Sequence, residues 1–420
     1  MLAPRILFLI ALVASPAGYS QPNLKVAKSK QDPGAITAMN GTIQVHAVVT
    51  DRAGQLVEGL SKEDFRLMED GVQQTPAFFA MEKIAGKSDL PLAARNEVAP
   101  GMPGDSPGPV APSSSRVMVL VVDTVHISSN GLERVRMALA GFLDEQKTGQ
   151  DLIAIMTTSG KPGRKGEFTA DRGKLDEDIK KIRPGQAQFE SFLTPALCGK
   201  VVRRDPQAVS LATLIIRSDD RTSGSMVIPD SGNPEVEAAS KCMMMLLEAA
   251  SRRRAVAAAI GTAIEKMSTL PGQRLIALFT EGFSMVGPGG ETAIPDINPV
   301  ISSAVRAGIM IYAFDARVAM SSKQLDIESY NLSSEIQNSV RDYQLGMALL
   351  ASETGGEAFY NLDGLPGQLQ QMLGGSRVYY RLAYFPPSGK ASKKYRSINV
   401  SVKDHPEYHV RTQKGYMLYD

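Results

Sequence analysis

The sequence predicts an α/β protein: a Rossmann-like domain with a mostly parallel sheet and helices on both faces, flanked by an antiparallel β-sandwich built from N- and C-terminal strands. Three observations carry this. From residue 116 onward, near-continuous apolar runs (VMVLVVDT, DLIAIMT, QRLIALFTEG, AGIMIYAFDA) alternate with stretches of helical periodicity, the pattern of parallel strands covered on both faces. Residues 41–83 and 377–418 instead hold short strand-like runs separated by turn signals. Each of those outer pieces is too small to cover its own apolar face, so they should pack together with the α/β domain inserted between them.

Residues 1–20 (MLAPRILFLIALVASPAGYS) join one Arg, an apolar run and small residues before Gln21. They read as a secretory signal peptide, too short for a spanning helix. Residues 21–40 are a polar leader. In the β unit at 41–83, Ile43, Val45, Ala47 and Val49 alternate with polar partners as a half-buried strand, DRAG at 51–54 is a turn, and EDG at 69–71 has the Asp-Gly signature of a tight hairpin. Residues 84–115 are a linker rich in Pro, Gly and Ser. The α/β domain spans 116–376. Leu132, Val135, Leu139, Phe142 and Leu143 share one helix face, and Asp171 suits an N-cap before a helix over 171–183. Further helices are expected near 295–307, 340–354 and 364–374, and a strand at GGEAFYNL (355–362).

Residues 184–235 break the alternation with Pro, Gly, Ser and Arg and read as an irregular insertion. A long helix follows over about 236–268, in which the Met243–Met245 run reads as core packing and Arg252–Arg254 as a solvated face. The two cysteines, Cys198 and Cys242, suggest one disulfide if the chain is exported, worth roughly 4 kcal/mol on the chain-entropy argument. Two buried thiols are the alternative.

The order of these parts, with VVTDRAGQLVEGLSKEDFRLMEDGVQQ, VMVLVVDT, RLIALFTEG, AGIMIYAFDA, LGMALLASETGGEAFYN and YYRLAYFPPSGKASKKYRSINVSVK, resembles the von Willebrand factor A-related domain proteins of acidobacterial type. The resemblance covers most of residues 41–416. It implies a metal site at the carboxyl ends of the strands, built on an Asp-x-Ser-x-Ser loop, whose open position a partner's carboxylate fills. Asp123 stands where the first Asp of that loop belongs, but the next two ligand positions are Val125 and Ile127. Ser128 and Ser129 are displaced along the turn, and Glu281 replaces the later Asp. Asp123, Ser128 and Glu281 are therefore the candidate ligands of a degenerate site, with Mg²⁺ or another divalent cation as the only cofactor to consider.

No enzyme class is legible. GFSMVG at 282–287 lacks the Gly that a nucleophile elbow needs at Val286, GKS at 86–88 has Met81 where a phosphate loop needs Gly, and no dinucleotide loop follows a strand. The four histidines form no helical zinc pair. A formal net charge of +2 gives no case for nucleic acid. After signal cleavage no later run is long and apolar enough to span a membrane. The expectation is an exported module, in periplasm, at the cell surface or outside, that binds a protein partner through loops 124–130, 184–235 and 282–294. A structural scaffold and an exported hydrolase with an unrecognised site are the alternatives.

Overall fold

The structure, a computed structural model, describes residues 42–84, 116–145, 151–159, 166–185, 193–218, 233–317, 330–360, 364–387 and 394–418. The expected signal peptide and leader, and the linker from residue 85, lie outside the described residues. In chain order the strands are β1 (Ile43–Thr50), β2 (Phe65–Glu69), β3 (Val72–Gln74), β4 (Phe78–Lys83), β5 (Arg116–Val122), β6 (Leu152–Thr157), β7 (Gln273–Thr280), β8 (Ile309–Asp315), β9 (Ala358–Phe359), β10 (Val378–Tyr384), β11 (Tyr395–Val402), β12 (His409–Arg411) and β13 (Gly415–Met417). The helices are α1 (Ser129–Glu145), α2 (Arg172–Lys181), α3 (Pro195–Val202), α4 (Pro206–Ser218), α5 (Pro234–Met267), α6 (Ile294–Arg306), α7 (Tyr330–Glu353) and α8 (Leu365–Gly374).

The chain is a Rossmann-like α/β domain joined to an antiparallel β-sandwich. Its central sheet runs β6-β5-β7-β8-β9, every pair parallel. The apolar runs form it because both faces are covered, so each residue of a run has somewhere apolar to go. Along β5, Met118, Leu120 and Val122 enter one core with α1, α2 and α8, while Val117, Val119 and Val121 enter another with α5 and α6. The second core continues past α6 into the sandwich, where it takes in Val45, Leu67, Tyr380, Leu382 and Val400.

The sandwich has two four-stranded sheets, β12-β1-β10-β4 and β13-β11-β2-β3. N- and C-terminal strands interleave in both, for β10 pairs with β1 and β4, and β11 with β2. This corrects the reading of 41–83 as one local β unit. Of the four strands only β2 and β3 pair with each other, through Asp70 and Gly71 at φ 48° and 80°, the double left-handed turn that Asp-Gly favours. β1 and β4 are held by β10 instead. The two sheets are tied by the buried Glu69, which accepts hydrogen bonds from Tyr384 and Tyr416 and pairs with Arg396 at 2.8 Å.

Three other expectations change. Between 184 and 235 the described part is helical: α3 and α4 fold against the first half of α5 around a separate core of Leu193, Leu197, Val201, Ala212, Ile215 and Leu246. Cys198 and Cys242 are disulfide-bonded within it, with Cα atoms 4.8 Å apart. Of the methionine run, Met243 and Met244 are exposed at 38% and 44%, so only Met245 packs on that core. Of the strand expected at 355–362, the described residues form only the two residues of β9, and Gly356 before it lies so close to β8 that a Cβ there would collide with the Ile311 carbonyl.

Candidate functional site

At the carboxyl end of the central sheet, Asp123 continues β5 by one bond, its N–H reaching the Phe279 carbonyl at 2.8 Å. The chain then turns back, and the Asp123 carbonyl accepts from the amides of His126 (3.3 Å) and Ile127 (3.0 Å). That turn brings the His126 ring against the side chain it follows. The Asp123 carboxylate is fully buried. One oxygen accepts from Thr158 Oγ1 at 2.9 Å; the other lies 2.8 Å from His126 Nδ1 and accepts from Thr280 Oγ1 at 2.6 Å. Burial pushes this carboxyl up, but the His126 imidazole and the two threonine hydroxyls outweigh it and hold the group below the usual carboxylate range. An ionised carboxylate only accepts, so the proton between the two side chains sits on Nδ1.

Ser128 and Glu281 form a second set. Ser128 caps α1, its Oγ accepting from the Gly131 amide at 3.0 Å. The same hydroxyl donates to Glu281 Oε1, which also takes the Ser128 amide at 3.0 Å. Burial pushes the Glu281 carboxyl up, against the opposing pull of these Ser128 bonds. A carboxyl raised in the folded state contributes stability below its ordinary value and loses it as pH rises. Glu281→Gln should therefore fold within about 1 kcal/mol of wild type. Its stability should decline less than that of wild type between about pH 4 and pH 8, as urea titrations at the two pH values would read.

A hard octahedral cation needs several oxygens turned toward one point. Both Asp123 oxygens are instead filled by protein donors, and the Ser128 hydroxyl is bonded both ways. Val125 is half-buried and Ile127 lies in the core beside α1. Among the described residues no group of three His, Cys, Asp or Glu side chains is placed to hold a metal ion. The donor set does not fit the cation that the resemblance implies.

Two cavities flank the turn. One of about 330 Å³ is bounded by His126, Thr194 before α3, Ala249 and Arg252 of α5, Glu281, and Tyr343 of α7. The other, of about 990 Å³, is bounded by Val125, Ser159, Arg183, Gly185 and again Arg252. Arg252 stands between them, donating to the Val125 carbonyl at 3.2 Å and pairing with Glu248. Arg317 closes the first cavity from the β8 end, forked onto Asp315. The walls thus carry both signs of charge.

Of arginines 252–254, read from the sequence as a solvated face, Arg254 is exposed and Arg252 intermediate, but Arg253 departs from that reading. Arg253 is fully buried. It binds Asp296 at the start of α6 through Nε (3.0 Å) and Nη2 (2.7 Å), and donates from Nη1 to the Ser284 carbonyl at 2.7 Å. Asp342 of α7 grips the same loop, accepting from Ser284 Oγ and from the Met285 amide at 2.9 Å. Loop 282–293 is therefore fixed between three helices.

The three residues that the sequence grouped as one degenerate site fall into two sets, Asp123 with His126, and Ser128 with Glu281; Thr158, Thr280, Arg253 and Asp342 were not singled out for the site. Thr280 was legible as the first residue of TEG. Thr158 follows β6 in an ordinary polar stretch and carries no signal.

No protein-family model matches the sequence, and no curated protein matches it. Solved structures that it resembles include an aerotolerance-related membrane protein from Bacteroides fragilis NCTC 9343 carrying multiple mutations to serines (13% identity, 62% of this chain and 98% of that one, TM-score 0.28). Others are a conserved hypothetical protein BatB from Bacteroides thetaiotaomicron (12%, 61% and 98%, TM-score 0.24) and the pilus adhesin SpaC from Lactobacillus rhamnosus GG in its open conformation (9%, 72% and 44%, TM-score 0.26). At TM-scores of 0.24 to 0.28 these likenesses assign no function.

Proposed function

We propose that the chain is an exported protein-interaction module, of adhesion or complex-assembly type, that engages a protein partner at the carboxyl edge of the central sheet without a metal ion. The observation that carries this reading is the commitment of Asp123 to three internal donors beneath a cavity of mixed charge. The carboxylate braces the turn, and the wall around it is left to do the recognition. The start of α3, a helix stapled to α5 by the disulfide, forms one side of that wall, which favours a partner segment with polar groups and a small apolar anchor. No described helix is long and apolar enough to cross a membrane.

Ala249→Trp tests the reading. Ala249 is half-buried on the cavity wall, so an indole there occupies the cavity without entering a core. The variant should keep the wild-type melting temperature. Its capture of partners from culture supernatant should fall about tenfold or more, as a lost anchor pocket would cause. Capture unchanged by the indole would refute binding at this cavity.

An exported hydrolase is the second reading, favoured by one observation: a buried carboxylate orients an imidazole that borders a cavity. Against it, the nearby Ser284 hydroxyl is given to Asp342. Ester and amide substrates cleaved by wild type but not by His126→Gln would favour it.

A further inference from the structure

The opposite edge of the central sheet carries a different cluster. Arg116 opens β5, Gln273 and Arg274 open β7, and the strands set them side by side, with Arg116 beside Gln273 and Val117 beside Arg274. Against this edge lies the outer face of the sandwich sheet containing β1 and β10. Its residues Gln44 and His46 come from β1, and Tyr379 and Arg381 from β10, with His46 directly opposite Arg381. Gln44 and His46 are the polar positions of an alternating strand, which water would cover if the strand were half-buried. Here the central domain covers them, and His46 is 2% exposed.

The charges in this junction do not balance. Arg381 pairs with Glu82 at 3.0 Å and lies over the Phe78 ring. Arg116 lies 3.9 Å from Asp151. Arg274 is 9% exposed, and its hydrogen bonds go to neutral oxygens, Ser268 O at 2.9 Å and Gln44 Oε1 at 3.2 Å. Three guanidiniums thus face two carboxylates. Burial, Arg274 and Arg381 push His46 down to about 3, so the imidazole is neutral and adds no charge. At this junction four buried nitrogens have no hydrogen-bond partner among the described residues: Nε of Arg116, Arg274 and Arg381, and Nδ1 of His46; Gln273 Oε1 is likewise unpartnered. A buried guanidinium without a counter-charge, beside several N–H groups without acceptors, is the half of an interaction that an oxyanion completes.

We propose that this junction is a binding site for a small inorganic oxyanion, phosphate or sulfate, held by Arg274, Arg381 and the His46 ring, which locks the sandwich onto the central domain. The Arg381 side chain remains 26% exposed, so the anion enters from that end. Gly308, at φ +60°, adjoins the site; a Cβ there would stand 3.1 Å from the His46 ring and 3.2 Å from Gln44 Oε1.

The test is calorimetric and thermal titration of the full chain with inorganic phosphate, sulfate and, at matched ionic strength, chloride. Wild type should bind one phosphate or sulfate per chain and melt at rising temperature as either is added, with no such response to chloride. Arg274→Met should lose the response. In chloride alone it should be at least as stable as wild type, because it removes the unbalanced charge and keeps an apolar stem. Arg381→Gln should weaken phosphate binding about tenfold or more, and it decides the matter on the same criterion if Arg274→Met does not fold. No response in wild type, or an equal response in wild type and the variants, overturns the site.

Discussion

Asp123→Ala should lower the unfolding free energy by about 3–5 kcal/mol, while Mg²⁺ and Mn²⁺ leave the wild-type midpoint where EDTA leaves it. The first half follows from what the truncation strands. Thr158, Thr280 and the His126 ring all lose their acceptor in a site with no exposure at Asp123. Each buried donor left unsatisfied costs about 1–3 kcal/mol, and relaxation recovers part of the sum. The second half follows from the same bonds, since a cation would first have to displace them. The pH dependence has a definite sign. Asp123 is held below its ordinary value in the folded chain, so its contribution is complete above the ordinary carboxyl range and is lost as pH falls beneath it. The gap between wild type and variant should thus narrow below about pH 4 in urea titrations. A wild-type midpoint that climbs with Mg²⁺, and ceases to climb in Asp123→Ala, would place a cation on that carboxylate and sink this account.

The architecture was legible wherever it depends on the period of apolar residues. VMVLVV could only be a strand with both faces covered, and Leu132 to Leu143 only a helix with one buried face. Partner choice was not legible, because a strand's own residues do not say which edge it meets. β1 and β4 looked like neighbours in a local sheet, yet both are held by β10 from more than 290 residues later. The polarity of Gln44 and His46 was read as solvent exposure when it is a buried polar junction. At the candidate site the sequence revealed which oxygens were missing at 125 and 127, since that is a matter of side-chain type. It could not reveal what fills Asp123 instead, because Thr158 follows β6 and Thr280 ends β7, and only the parallel register brings them together. The insertion was misjudged for a related reason: α3 and α4 are short and bury their apolar faces against each other and α5, so neither shows the long periodicity of an independent helix.

Arg253→Met should cost about 3 kcal/mol and loosen loop 282–293 ahead of global unfolding. The guanidinium is fully buried and makes the bonds that join the middle of α5 to the start of α6 and to the carbonyl of Ser284. Methionine keeps most of the stem packing and removes every donor, so the loss reports the polar bonds and not a void. The expected cost sits at the low end for a broken buried pair because the abandoned Asp296 side chain is 27% exposed and can be hydrated. Hydrogen exchange should speed up at Met285 and Ala293, whose amides are tied to Asp342 and to the Met285 carbonyl within this loop. The double variant Arg253→Met/Asp296→Asn separates the ion pair from the rest. If the pair carries the effect, Asp296→Asn should be destabilising in wild type and nearly neutral beside Arg253→Met, a coupling of about 1 kcal/mol or more. Additive losses would mean that the carbonyl bonds to Ser284 dominate. In either case the loop should lose protection before the central sheet does, since Arg253 holds the rim of the cavity and β5 and β7 are paired without it.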